Sequence, residues 1–378
     1  MLKTGYDMLY LAACGIHGIT PDTEKFNSTD MEKLLKVCKF HSLSALVCYA
    51  LESAGINDPS FQKEKNLAVR NIILLDVERK NLCEFFKKNE IWYMPLKGIY
   101  LKNYYPKIGM RQMCDNDILV DLSKMNDIDK FMTQRGYTMH SSKVANDYGY
   151  LKLPCYNFEM HRSLFGVYDG DTFYNYYTNI KEKLIPSKSE SYEYNFTPED
   201  FYIFMTAHEY KHFSKGGTGL RSLVDVYIYV RKFSDTLNWD YIRQECKKLE
   251  IAEFEEKSRK LSLRIFSSAE LPELTEDEQK MLEYYLSSGT YGTNSNKALN
   301  TMEKIKSQSG SSSKLGFIFH RIFPPLEHYK YWFPFFYKHK ILLPIGWAYR
   351  LIRGIFCKSD MAKAEMRTIN NIEKDAQD

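Results

Sequence analysis

The chain has 378 residues, 44% of them hydrophobic and 26% charged, with a formal net charge of +4. This length suits two or three domains of an ordinary soluble globular protein, and the charge excess alone does not argue for a nucleic-acid binder. The eight cysteines are scattered without Cys-x-x-Cys spacing, so they read as free thiols of a reducing cytoplasm, not as a disulfide framework or a zinc site.

The amino terminus carries charge and lacks the apolar core of a signal peptide. The most apolar stretch, Ile341 to Phe356, is broken by Pro344, Arg350 and Arg353, so no transmembrane span is expected. A cytoplasmic location follows as an expectation. Aromatic residues are abundant at 15%, enough for large cores or stacking surfaces.

Residues 1–90 read as a helical segment. Met31 to Leu51 places Leu34, Leu35, Cys38, Leu43, Leu46, Val47 and Ala50 close to a 3.6-residue period. Ser28, Thr29 and Asp30 offer N-caps before it. Leu67 to Phe86 is a second long helical pattern, and His41 reads as a partly buried structural histidine. Residues 91–169 change to an α/β pattern. Ile91 to Pro95 predicts a short strand, followed by a tight turn at Lys97-Gly98. A short helix is expected over Ile99 to Tyr105, stopped by Pro106, and then a strand from Asp115 to Val120. Lys124 to Gly136 predicts a helix closed by its glycine. Further strands are expected at Tyr137 to His140, Leu151 to Leu153 and Tyr156 to His161. In the last of these, Asn157, Glu159 and His161 share one face.

Residues 170–378 return to helix. Pro198 to Val230 holds two helices joined by Lys215-Gly-Gly-Thr-Gly219, which reads as a connection and lacks the ending of a phosphate-binding loop. Trp239 to Phe266 and Thr275 to Ser287 predict two more, the latter opened by a Thr275/Glu278 capping box. Ser307 to Ser313 reads as a flexible linker. The aromatic tail from His320 to Arg350 reads as packing for the last helices, with a membrane or single-stranded nucleic acid as the other use of such a surface. The last twenty residues read as frayed.

The chemistry concentrates at residues 94–121. Asp115 and Asp117 fall on one face of the predicted strand, where two adjacent carboxylates repel. A cation between them removes that cost, and hard oxygen ligands suit Mg²⁺. On the same argument, Asn at either position should leave stability unchanged or raise it. Lys97 and Gly98 stand where a turn enters a helix, and helix N-terminal amides bind phosphate. Arg111 could touch a phosphate, hold Asp115, or form a structural ion pair. Arg221 and Asp225 lie four apart, so an intrahelical ion pair is their first reading, with base or ribose binding as the other. His208-Glu209-Tyr210-Lys211-His212 matches His-Glu-x-x-His, but no third zinc ligand follows at the expected spacing.

Together, Leu96-Lys97-Gly98, Arg111 and Asp115-Asn116-Asp117-Ile-Leu-Val resemble the active-site signature of the polymerase-β-like nucleotidyltransferase superfamily. The Leu-Lys-Gly form resembles in particular an uncharacterised bacterial nucleotidyltransferase family, a likeness that extends from the first helices to about residue 355. Lys97 stands where most of the superfamily has a second small residue, and would meet phosphate with its own charge. The resemblance implies a third carboxylate from a later strand, for which Glu159 is in place. On this resemblance His208 and His212 are expected to pack over the nucleotide site or to contact phosphate. It also implies an α+β fold: a small mixed-sheet core between N-terminal helices and a C-terminal helical domain. The implied reaction moves a nucleoside monophosphate from an NTP to an acceptor hydroxyl and releases pyrophosphate. Mg²⁺ or Mn²⁺ would be held by Asp115, Asp117 and Glu159. The NTP stays open, as does the acceptor, whether protein, RNA, sugar or small metabolite. The alternatives are a module that binds a nucleotide or a partner protein without turnover, and a zinc hydrolase using His208, Glu209 and His212.

Overall fold

The computed structural model describes residues 2–140, 146–188, 191–309, 318–319, 322–324, 326, 329–330 and 333–352. The chain forms two compact units, Met1–Tyr210 with Gly219–Leu286, and Lys211–Thr218 with Ser287–Asp378. The boundaries expected at residues 90 and 169 both fall inside the first unit.

The first unit opens with α1 (Leu2–His17), α2 (Met31–Phe40), α3 (Ser44–Ser53) and α4 (Pro59–Lys88). The single helix expected over Met31 to Leu51 is two helices. Ser42 takes a φ of 56°, which a continuing helix cannot accommodate. Asp30 caps α2 by accepting from the backbone N–H groups of Glu32 and Lys33. His41, fully buried, accepts at Nδ1 from the Leu220 N–H at 3.3 Å. It is the structural histidine that was expected.

A five-stranded mixed sheet follows, built from β1 (Tyr93–Pro95), β2 (Asn116–Val120), β3 (Thr138–His140), β4 (Asp147–Lys152) and β5 (Tyr156–His161) in the order β1-β2-β5-β4-β3. Among the neighbouring strands of this sheet, β2 and β5 run parallel and the other pairs antiparallel. A parallel pair needs a crossover, which here carries α6 (Met125–Gln134) and the two strands beyond it. α6 ends before Gly136, whose φ of 82° turns the chain out of the helix. The short helix after β1, α5 (Gly98–Leu101), is one turn long and stops well before Pro106.

One face of the sheet is covered by α4 and α6. Ile118, Val120, Phe158 and Met160 meet Ile72, Leu75, Leu82 and Phe86 of α4 and Ile128 and Met132 of α6. The alternation of β2 sends Leu119 to the opposite face. There it joins Leu96, Leu101 and Phe165 in a second core with residues of the later helices. Those are α7 (Asp171–Tyr177), α8 (Pro198–Gly216), α9 (Leu220–Phe233), α10 (Trp239–Lys248) and α11 (Ala252–Phe266). A two-stranded sheet, β6 (Ile185–Pro186) with β7 (Tyr194–Asn195), precedes α8. Its strands are too short to show a period in the sequence. Trp239 to Phe266 again divides in two, at Glu250 with a φ of 60°. α12 (Glu276–Ser288) starts with the expected capping box: Thr275 Oγ1 accepts from the Glu278 N–H, and Glu278 Oε2 accepts from the Thr275 N–H at 2.8 Å.

In the second unit, α13 (Asn294–Ser309) extends through the first residues of the expected linker, while residues 310–313 lie outside the described residues. The tail contributes α14 (Pro334–Lys338) and a helical stretch at 343–352. Phe335, Ile341 and Ile345 are exposed there, contrary to the expected core packing, whereas Tyr329 is buried. The last twenty residues lie outside the described residues. No helix among the described residues is long and apolar enough to cross a membrane.

Candidate active site

The site grows from the register of the parallel pair. Asp117 on β2 lies directly beside Glu159 on β5, and Leu119 beside His161. Lateral partners in a parallel ladder point to the same face, so Asp117, Glu159 and His161 emerge together on the side opposite α4. The residue between the aspartates holds the register. Asn116 is fully buried, donates to the Leu75 carbonyl at 3.2 Å and accepts from Arg79 Nη1 at 3.0 Å. That anchor to α4 fixes which face the acidic residues take, because a one-residue slip would invert them.

Asp117, Glu159 and His161 each offer one ligand atom, all within 4.8 Å of one another. His161 Nε2 donates to Asp117 Oδ1 at 3.0 Å and lies 3.9 Å from Glu159 Oε2. Lys97 Nζ stands 3.6 Å from the other oxygen of Asp117, Oδ2. Burial alone would raise the Asp117 carboxyl, but the Lys97 charge and the His161 hydrogen bond outweigh it and hold the group well below the ordinary carboxylate range. Glu159 goes the other way. Burial, with Asp117, Asp115 and Asp147 as negative neighbours, pushes it up to about 8. Asp115 precedes β2 and is raised by burial and by Asp117, partly offset by Lys97, Arg221 and Arg111. The two aspartates therefore differ in surroundings: the Asp117 charge is compensated by Lys97 and His161, whereas Asp115 is crowded by like charge.

A divalent cation fits the two carboxylates of this cluster, and the crowding that raises Glu159 is what a cation would relieve. Asp115 lies outside the cluster of three. His161, which sequence reasoning did not single out as a site residue, lies inside it. Its signal was present, two residues after Glu159 on the same strand face.

Lys97 and Gly98 form the turn between β1 and α5. Lys97 takes a φ of 30°, a left-handed conformation that favours glycine. A Cβ on Gly98 would come within 2.7 Å of both Arg111 Nη1 and Met113 Sδ. Gly98 therefore allows the buried Arg111 to approach the turn. Arg111 forms a two-pronged pair with Asp225, Nε to Oδ1 at 2.9 Å and Nη2 to Oδ2 at 3.0 Å, and Tyr105 Oη donates to the same Oδ1 at 2.7 Å. This corrects one expectation: Asp225 pairs with Arg111 and not with its helix neighbour Arg221. Arg221 keeps an influence on Asp115 through its charge.

Lys97 Nζ donates to His208 Nε2 at 2.7 Å, which brings α8 to the turn. Glu209, one residue on, turns the other way into a buried pocket. There its Oε1 accepts from Tyr285 at 2.6 Å and from Ser258 at 3.3 Å. His212 belongs to the second unit, where its carbonyl accepts from the Gly217 N–H. Among the described residues, the histidines of His-Glu-x-x-His enter no group of three metal ligands. The glutamate a hydrolase would need as its base is buried against Tyr285 and Ser258.

No curated protein and no solved structure matches the chain. A family model described as "Uncharacterised nucleotidyltransferase" matches residues 27–267. The match takes in the sheet, the Lys97-Gly98 turn, the acidic cluster and α8 to α11, and stops short of the tail, whose likeness to the family it does not cover. With well over half the chain matched, and the match centred on the convergent carboxylates, the protein belongs to the uncharacterised nucleotidyltransferase family.

Proposed function

We propose that this protein transfers a nucleoside monophosphate from a nucleoside triphosphate to an acceptor hydroxyl. The observation that carries this reading is the lateral register of Asp117 and Glu159, beside a glycine turn that opens a helix. Bound Mg²⁺ or Mn²⁺ would neutralise the phosphate oxygens and lower the pKa of the acceptor hydroxyl. Asp117 and Glu159 would hold it, with Asp115 as a further carboxylate at the entrance of β2. His161 fixes the rotamer of Asp117 by donating to one of its oxygens, as residues behind a metal ligand commonly do. Lys97 and the amides after it would face the triphosphate. The acceptor hydroxyl gives its proton to solvent, its oxygen forms a bond to the α-phosphorus, the bond from that phosphorus to the bridging oxygen breaks, and the electron pair leaves with pyrophosphate. Since little covalent chemistry falls to the protein, positioning and charge supply the rate.

The test is transfer of label from each α-labelled NTP, with Mg²⁺, into a cell lysate. Labelled species would also sort the acceptor into protein, RNA, sugar or small molecule. Asp117→Asn keeps the shape and removes the charge, and should reduce labelling by roughly a hundredfold or more. Equal labelling by wild type and Asp117→Asn would remove the assignment from this site.

A further inference from the structure

The side chain of Lys97 does more than a turn requires. At a φ of 30° the backbone would be relaxed with glycine, and a lysine there carries strain. What lysine adds is an ammonium that reaches across to β2. It sits 3.6 Å from Asp117 Oδ2, the oxygen that His161 leaves free, and donates to His208 Nε2 at 2.7 Å. The contact with His208 steadies the ammonium from the side of α8. Both partners of the Lys97–Asp117 pair are largely shielded, with 18% and 15% of their side chains exposed.

We infer that Lys97 is the built-in counter-cation of Asp117 in the metal-free protein, and that divalent cation and Lys97 compete for the same carboxylate oxygen. Binding of the cation would then release the ammonium from Asp117 to meet the triphosphate of the proposed reaction. Metal loading and the readiness of Lys97 to receive nucleotide are in this way one event. The inference rests on the nucleotidyl-transfer reading in one respect, that the Asp117 cluster seats a divalent cation.

The experiment uses Mn²⁺ alone, without nucleotide, titrated into wild type, Lys97→Met and Asp117→Asn and followed by calorimetry and by the electron paramagnetic resonance of free Mn²⁺. Lys97→Met should bind Mn²⁺ roughly tenfold more tightly than wild type, because a like charge beside a part-buried cation site is gone. A second measurement needs no variant: acylation of Lys97 in the wild type, read by peptide mass spectrometry, should become severalfold faster when Mn²⁺ is added. Equal or weaker Mn²⁺ binding by Lys97→Met, or unchanged acylation, overturns the counter-cation role and leaves the nucleotidyl-transfer reading standing. If wild type binds no Mn²⁺, or Asp117→Asn binds it as well as wild type does, the cation seat itself is wrong and both readings fall.

Discussion

Glu209 is the carboxylate whose protonation should be easiest to see in the stability of the protein. It is 5% exposed and accepts at Oε1 from Tyr285 and Ser258, while Oε2 meets no partner. Burial raises it to about 7 from 4.5, against the two hydrogen bonds that lower it, with the charge of Asp225 adding to the rise. Its folded pKa thus exceeds its unfolded value. The stability it contributes is fully present below about pH 4.5 and is lost as pH rises through about 7. The gap between 4.5 and 7 is 2.5 units, which at ~1.36 kcal/mol per unit corresponds to about 3 kcal/mol. Glu209→Gln reproduces the protonated acid. Its carbonyl keeps the bonds from Tyr285 and Ser258, and its amide leaves the same position unmet that the acid does. Urea unfolding at intervals from pH 4 to 8 should therefore show the variant level with wild type at the acid end and about 3 kcal/mol more stable at pH 8. A gap that does not change with pH would mean that Glu209 stays ionised when buried, and the account of this pocket would be wrong.

The two aspartates should separate in the same kind of measurement. At pH 7, Asp115→Asn should match or exceed wild-type stability. Asp117→Asn should lose about 3 kcal/mol, the order of cost for removing one partner of a shielded charge pair. The Asp117 loss should narrow only in acid, below the unfolded carboxylate pKa, because its folded value is depressed; equal shifts in both variants would contradict the assignment of Lys97 and His161 to Asp117. Glu159, held up to about 8, is protonated at pH 7 in the metal-free protein. Mn²⁺ binding at pH 7 should accordingly release close to one proton and tighten as pH rises towards 8. Calorimetry in buffers of different ionisation enthalpy measures that proton, and a binding heat independent of buffer would exclude it.

The sequence carried the site's strands better than its contacts. Period-two alternation located β2 and β5, and the Asp-x-Asp spacing located the acidic face, because both follow from local geometry. The lateral match of Asp117 with Glu159 was legible only through the family resemblance, since register depends on α4 and on the Asn116 anchor. The partner of Asp225 was misread for a related reason. Helical spacing offers Arg221, one turn away, but a buried carboxylate pairs where a guanidinium can reach it in the proper plane, and that is Arg111 in the segment before β2. The breaks at Ser42 and Glu250 also escaped, because neither is a glycine, asparagine or proline that would mark a positive φ. His-Glu-x-x-His lacked a third ligand in the sequence, and among the described residues the structure agrees. Its letters matched a metal motif, while the fold sends His208 to the turn and Glu209 into the interior.

The Arg111–Asp225 pair also bears on how this chain can be cut. Arg111 belongs to the segment that leads into β2, and Asp225 to a helix far along the sequence. A fragment ending at residue 169 would keep the strands and acidic side chains yet strip the guanidinium of its Asp225 counter-charge. Expression boundaries for this protein are therefore set by electrostatics as much as by secondary structure: the acidic strands travel with α9 or leave Arg111 without its partner.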